Sequence, residues 1–152
     1  MTNTVDAADD PGYFARDIEL IETNSTGAVR YRLQAGELEQ NPQSRDIALR
    51  EVRLQLQTRE RAWQLRATTA LLPADSSQVL LRESVELQAL GPAAMNIRSE
   101  QLDYDHQSQQ VTSRERVSIT MPAGELTALG LDANLESQRL VLGKDVHGRF
   151  KP

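Results

Sequence analysis

The sequence predicts an all-β protein, an elongated antiparallel stack of strands that is open at both ends. The first observation is strict alternation. Tyr31-Arg-Leu33-Gln-Ala35, Val52-Arg-Leu54-Gln-Leu56-Gln, Trp63-Gln-Leu65-Arg-Ala67, Val85-Glu-Leu87-Gln-Ala89 and Val117-Ser-Ile119-Thr-Met121 all switch between apolar and polar at every residue, which is the period of a half-buried strand. The second observation is repetition. Leu33, Leu65, Ile97 and Leu126 stand 32, 32 and 29 residues apart, and Val52, Val85, Val117 and Val146 stand 33, 32 and 29 apart. Two columns with one period predict about four units of ~32 residues, each covering its neighbour's apolar face. A helical reading has some support in the abundance of Gln, Glu, Arg, Leu and Ala. Leu49, Val52, Leu56 and Trp63 even fit heptad positions, but the next slots fall on Arg59 and Arg66 and the seam breaks.

Taken in order, residues 1–12 are polar and acidic, end in Pro11-Gly12 and read as a flexible leader; 13–151 read as one domain. A strand from Phe14 to Leu20 precedes the first unit. Each unit is expected to hold several short strands joined by turns such as Gln40-Asn41-Pro42-Gln43, Pro73-Ala74-Asp75-Ser76 and Asp105-His106-Gln107-Ser108. Asn24-Ser25-Thr26 matches a glycosylation sequon, but its place before Gly27 reads as a hairpin turn.

Composition narrows the function. Seventeen Lys and Arg against 22 Asp and Glu leave a net charge of -5, so no broad face is available to neutralise phosphates, and a nucleic-acid partner is not expected. The chain has no cysteine, which removes thiol catalysis, disulfides and thiolate metal sites together. No stretch reaches 18 apolar residues, so no transmembrane helix is predicted, and the first residues lack the basic and apolar regions of a signal peptide.

With Asp10-Pro11-Gly12-Tyr13 leading into a strand, then Gly27-Ala28-Val29-Arg30-Tyr31-Arg32-Leu33-Gln34-Ala35, Trp63-Gln64-Leu65-Arg66-Ala67 and the valine-containing strands closing each unit, the chain resembles the LptC family. The resemblance covers roughly residues 10–150 and rests on order and spacing. It implies a periplasmic, inner-membrane-anchored component of the lipopolysaccharide export machine, whose fold is a slot-like β-jellyroll, or β-taco, with an apolar interior for lipid A acyl chains. It also implies that the N-terminal end meets LptF and LptG of the LptB/LptF/LptG ABC transporter and that the C-terminal edge pairs with the bridge protein LptA. A family member begins with a transmembrane helix that is missing here, so the chain is expected to be the soluble domain of a longer protein.

Catalytic chemistry has little to stand on. His106 and His147 lie 41 residues apart among polar residues. His106 with Asp103 and Asp105 can be drawn as a metal site, but a solvated hairpin tip explains the trio better. There is no G-x-S-x-G, no P-loop and no H-E-x-x-H. No enzyme and no cofactor are expected. The alternating charges from Arg45-Asp46 through Arg50-Glu51-Arg53 read as a solvated face.

The apolar columns are the candidates for function. Ile18, Leu33, Leu49, Leu54, Leu56, Leu65, Leu87, Ile97, Val117, Ile119, Leu126 and Leu131 are expected on the concave side. Apolar strand positions normally form a core; the resemblance adds lipid contact, in a slot that protein side chains do not fill. Burial of methylenes is non-directional, about 0.8 kcal/mol each, so such a wall lets chains slide. Tyr13, Phe14 and Leu20 are the expected transporter-end contacts, and Val146, Gly148 and Phe150 the expected contacts at the LptA end. Open terminal strands leave unpaired backbone groups, which invite strand addition and permit edge-to-edge homodimers. Two other readings stay open: an assembly adaptor whose interior is solid core, and the soluble bridge protein of the same fold. An unrelated β-solenoid enzyme has no acid–base constellation to support it.

Overall fold

The computed structural model describes residues 12–23, 29–58 and 61–150. The leader up to Pro11 and the Asn24-Ser25-Thr26-Gly27 turn lie outside them. Nine strands follow one another: β1 Phe14–Thr23, β2 Val29–Gln40, β3 Ile47–Gln57, β4 Ala62–Leu72, β5 Gln78–Ala89, β6 Met95–Asp105, β7 Gln110–Met121, β8 Gly124–Asn134 and β9 Arg139–Phe150. They form one sheet in sequence order, each antiparallel to the next. The expected short strands are instead strands of 10–12 residues, two for each repeat of the sequence pattern. The Leu33 column lies on β2, β4, β6 and β8, and the Val52 column on β3, β5, β7 and β9. The spacing of about 32 is therefore the length of one hairpin with its two turns.

Each strand is interrupted near its middle. The backbone takes left-handed φ at Asp17, Glu51, Glu83, Ser84, Gly130 and Asp145, and the pairing skips or shifts at these positions. Bulges of this kind kink a strand and raise its twist. They also reset the alternation: the inward positions on either side of the break are Ala35 and Leu38, Leu49 and Val52, Ala67 and Ala70, Leu81 and Val85, Ala128 and Leu131. Three- and four-residue steps replace the two-residue step, and the same face of the sheet stays apolar across the bend.

The bends fold the sheet on itself into two leaves. The front leaf runs to the β1–β2, β3–β4, β5–β6 and β7–β8 turns, and the back leaf to the β2–β3, β4–β5, β6–β7 and β8–β9 turns. Inward side chains from both leaves belong to one apolar cluster. His106, on the back rim, has its ring 5.6 Å from that of Tyr31 at the start of β2 on the front rim, and its Nδ1 lies 4.0 Å from a Glu22 carboxylate oxygen. An unfolded sheet of 11-residue strands would hold its two rims roughly 36 Å apart, so this contact exists only because the leaves close.

The turns are where the sequence placed them. Asn41 Oδ1 accepts the Gln43 and Ser44 amides at 2.8 and 2.9 Å, and Asp105 Oδ1 accepts those of Gln107 and Ser108 at 2.9 and 3.2 Å, the local bonding that makes Asn and Asp turn formers. Back-rim turns are also tied to one another: Ala74 N–H donates to Asp46 Oδ1, His106 N–H to Ser77 O and Leu135 N–H to Gln109 O.

Candidate functional site

Register turns the front leaf into a continuous aliphatic lane. Leu20 pairs with Leu33, Leu33 with Leu54, Leu54 with Leu65 and Leu65 with Leu87; the row continues through Ile97, Ile119 and Leu126 to Gly148. It crosses all nine strands, about 38 Å at the usual strand spacing. Leu33, Leu54, Leu65, Leu87, Ile97 and Ile119 are each no more than 1% exposed. The ends differ: Leu20 is 41% exposed, and Gly148 has solvent on its open side.

Two further rows flank the lane. Toward the bend stand Ile18, Ala35, Val52 and Ala67, followed by Val85, Ser99, Val117 and Ala128. Toward the front rim Tyr31 pairs with Leu56, Leu56 with Trp63, Trp63 with Ala89 and Ala89 with Met95. All twelve residues expected inside the slot face inward: ten are buried, and Ile18 and Leu126, near the ends, pack partly buried against the cluster. Ten of them line the front leaf; Leu49 and Leu131 line the back one. Leu38, Leu81, Leu102 and Tyr104 line the back leaf too; Leu38, Leu102 and Tyr104 lie beyond a phase break that the alternation pattern did not cross. In the middle of the molecule the two leaves are in contact, so the expected slot is closed there by its own side chains.

The end strands carry the expected partner residues. Tyr13, Phe14 and Leu20 are exposed at the β1 edge, but only Leu20 continues the inner lane: Phe14 pairs across from Glu39 and points outward, under the Arg16 guanidinium. Val146, Gly148 and Phe150 share the inward face of β9, and Val146 and Phe150 are about half exposed. A Cβ at Gly148 would meet Leu126 Cδ2 at 2.7 Å and the Phe150 ring at 3.0 Å, so a larger side chain at the lane's end would have to displace both.

Charged groups stay on the outside or at turns, while Ser99 and Ser113 are buried at the bend. Arg32–Glu19, Arg66–Glu86 and Arg98–Glu86 pair across strands, and Arg45, Arg50, Glu51 and Arg53 are exposed, as a solvated face requires. The imagined metal trio is dispersed. Asp103 binds Arg82 at 2.7 Å, Asp105 caps its own turn and His106 packs on Tyr31. Among the described residues no group of three His, Cys, Asp or Glu side chains is placed to hold a metal. Burial presses the Asp105 carboxyl upward. The Ser108 and Gln107 amides, the Ser77 hydroxyl and His106 outweigh it and hold its pKa below the ordinary value. His147 is exposed on β9, across from Thr127.

One unclosed antiparallel sheet, folded around an apolar lane and, among the described residues, unpaired at both edges, defines an open-ended β-jellyroll. The solved structure of LptH from Pseudomonas aeruginosa, described as the LptA-homologous periplasmic component of the lipopolysaccharide transport device, shares this fold. The two superpose with a TM-score of 0.66 at 11% identity, over 80% of this chain and 95% of that one. No curated protein matches the sequence. The family model for LptC-related lipopolysaccharide assembly matches residues 2–151. The chain belongs to that family, whose members serve lipopolysaccharide transport and are not enzymes.

Proposed function

We propose that the folded part of this chain, residues 13–151 behind a leader of residues 1–12, is a passive periplasmic conduit for lipopolysaccharide. Lipid A acyl chains enter the lane at the β1 end from the LptB/LptF/LptG transporter and leave at the β9 end toward LptA. In the native protein an N-terminal transmembrane anchor precedes this domain. The observation that carries the reading is the lane itself: an aliphatic row in register across every strand, with an exposed end on each side. Its attraction for methylenes is non-directional, roughly 0.8 kcal/mol for each one withdrawn from water, so a chain can advance along it without breaking fixed hydrogen bonds. The bare β1 and β9 edges supply the backbone groups for strand addition on either side. Nothing in the lane performs chemistry, so energy comes from the transporter.

One observation favours a second reading. The six central lane residues are sealed from solvent, as an adaptor with a solid core would have them. Site-specific photo-crosslinking to lipopolysaccharide separates the two, with probes at Leu65 and Ile97 and a control at Arg53 on the outer face. Adducts at the inner sites and none at Arg53, with the transporter energised, establish that the leaves part for lipid. No adduct at either inner site in the folded protein leaves the adaptor.

A further inference from the structure

The inner wall of the front leaf holds one polar donor with nothing to bond. Trp63 is 3% exposed, and its indole Nε1 is buried without a hydrogen-bond partner. Leaving such a group unmet is unfavourable, and buried indole N–H groups usually find an acceptor. Its neighbours across the sheet offer none from their side chains, since Leu56 and Ala89 flank it in register. The position is specific. Trp63 sits in the row at the front rim, one inward position from Leu65 in the lane, or roughly 7 Å along the strand. At the rim itself the Arg61 guanidinium stands 5.8 Å over the Trp63 ring and donates to Pro92 O.

We infer that Trp63 is a recognition residue whose indole N–H donates to the acyl carbonyl, ester or amide, of a lipid whose tail lies in the lane. This rests on the conduit reading and adds a chemical requirement to it. The bound molecule must present a hydrogen-bond acceptor within one strand step of its methylene chain, beside a rim cation suited to an anionic headgroup. A simple hydrocarbon satisfies the lane and leaves the donor unmet; an acylated amphiphile satisfies both. The wall then has one fixed polar contact, a resting point in an otherwise featureless track.

Trp63 is the only tryptophan in the chain, so its indole N–H gives a single resonance in a 15N-labelled sample. The probes are a tetra-acylated lipid A and an analogue with the same tails joined by all-carbon links that carry neither an acceptor nor a charge. Lipid A should move the indole proton downfield and slow its exchange with solvent, whereas the analogue should do neither and should bind roughly five- to tenfold more weakly, as expected for the loss of one neutral hydrogen bond. Trp63→Phe, which keeps the ring, should bind both lipids with the weaker affinity. Equal shifts with the two lipids, or a Trp63→Phe protein that still prefers lipid A, overturns the inference. If Trp63→Phe fails to fold, the comparison of the two lipids on the unaltered protein decides alone. Crosslinks at Leu65 without carbonyl discrimination refute only the role of Trp63. Absence of both refutes the conduit as well.

Discussion

The two leaves are made from the same nine strands and bury the same kinds of side chain, yet their inner walls differ. On the front leaf the lane from Leu20 to Gly148 runs unbroken from β1 to β9. On the back leaf the row Ala15, Leu38, Leu49, Ala70, Leu81 and Leu102 reaches β6 and stops, because the β6–β7 register shifts between Ser99 and Asp103. A second row, Val79, Tyr104, Val111, Ala133 and Leu140, carries on one step nearer the rim. The back wall also carries polar anchors: Tyr104 Oη bonds Gln109, and Ser113 Oγ lies 3.2 Å from Ser99 Oγ at the bend. Its turns are laced together by Asp46, Ser77 and Gln109. A register kept constant lines up one row across every strand, and the shifted register with its tied turns makes a staggered wall opposite it.

The largest expected effect tests whether the back wall is as solid as the front. Leu65 and Leu81 are both fully buried, one on each leaf. Leu65→Ala and Leu81→Ala should each lower unfolding stability by about 2–5 kcal/mol, measured by urea denaturation, since both leave a cavity the size of an isopropyl group. A Leu81→Ala loss well below 1 kcal/mol would show that the back leaf is loosely packed and the front one is not.

A smaller effect concerns how the leaves are held together. His106 bridges the rims through Tyr31 and Glu22, close to the β1 end. His106→Ala removes that contact while leaving its backbone bond to Ser77 in place. Stability should fall by less than about 1 kcal/mol, as for other partly exposed contacts. Amide hydrogen exchange in β1 and the first half of β2 should nevertheless speed up, while exchange in the back-rim turns stays unchanged. Uniform acceleration across both leaves would mean that His106 supports the whole core and does not act as a local clasp.

The front leaf was legible in the sequence and the back leaf was not, for a reason the bulges supply. Tyr31-Leu33-Ala35 and its counterparts on the even strands, and Val52-Leu54 and its counterparts on the odd ones, all lie between a front-rim turn and the bend, where alternation holds. Across Glu51 and Gly130, and between Ser99 and Leu102, the inward positions move on by three residues and the phase changes, so Leu102 and Tyr104 fall out of step with columns drawn from the other side; on β5 the step from Leu81 to Val85 is four and the phase is kept. Strand length was underestimated for the same reason, each break reading as the end of a strand. The turns were readable because Asn41 and Asp105 bond their own backbone. Trp63 was visible as a strand residue, but its unpaired N–H is a property of what surrounds it in three dimensions, and no local pattern reports that.

The smallest effect isolates one tie of the back rim. Asp105 sits in the β6–β7 turn, and its pKa is held below the ordinary carboxylate value: burial opposes the charged form, but the Ser108 and Gln107 amides, Ser77 and His106 favour it more strongly. A carboxylate depressed in the folded state adds stability that is complete above the unfolded pKa, about 3.9. That stability is lost as pH falls through the lower folded value. Asp105→Asn keeps an acceptor oxygen for the two amides and removes the charge. At pH 7 the variant should be less stable by under about 1 kcal/mol, since solvent screens so exposed a turn. Urea midpoints taken from pH 7 down to pH 3 should then converge, the native protein declining more steeply than the variant through the acid limb. Parallel curves would show that the amides hold the turn equally well without the charge. The back rim's ties would then be hydrogen bonds alone, and its rigidity independent of acidity.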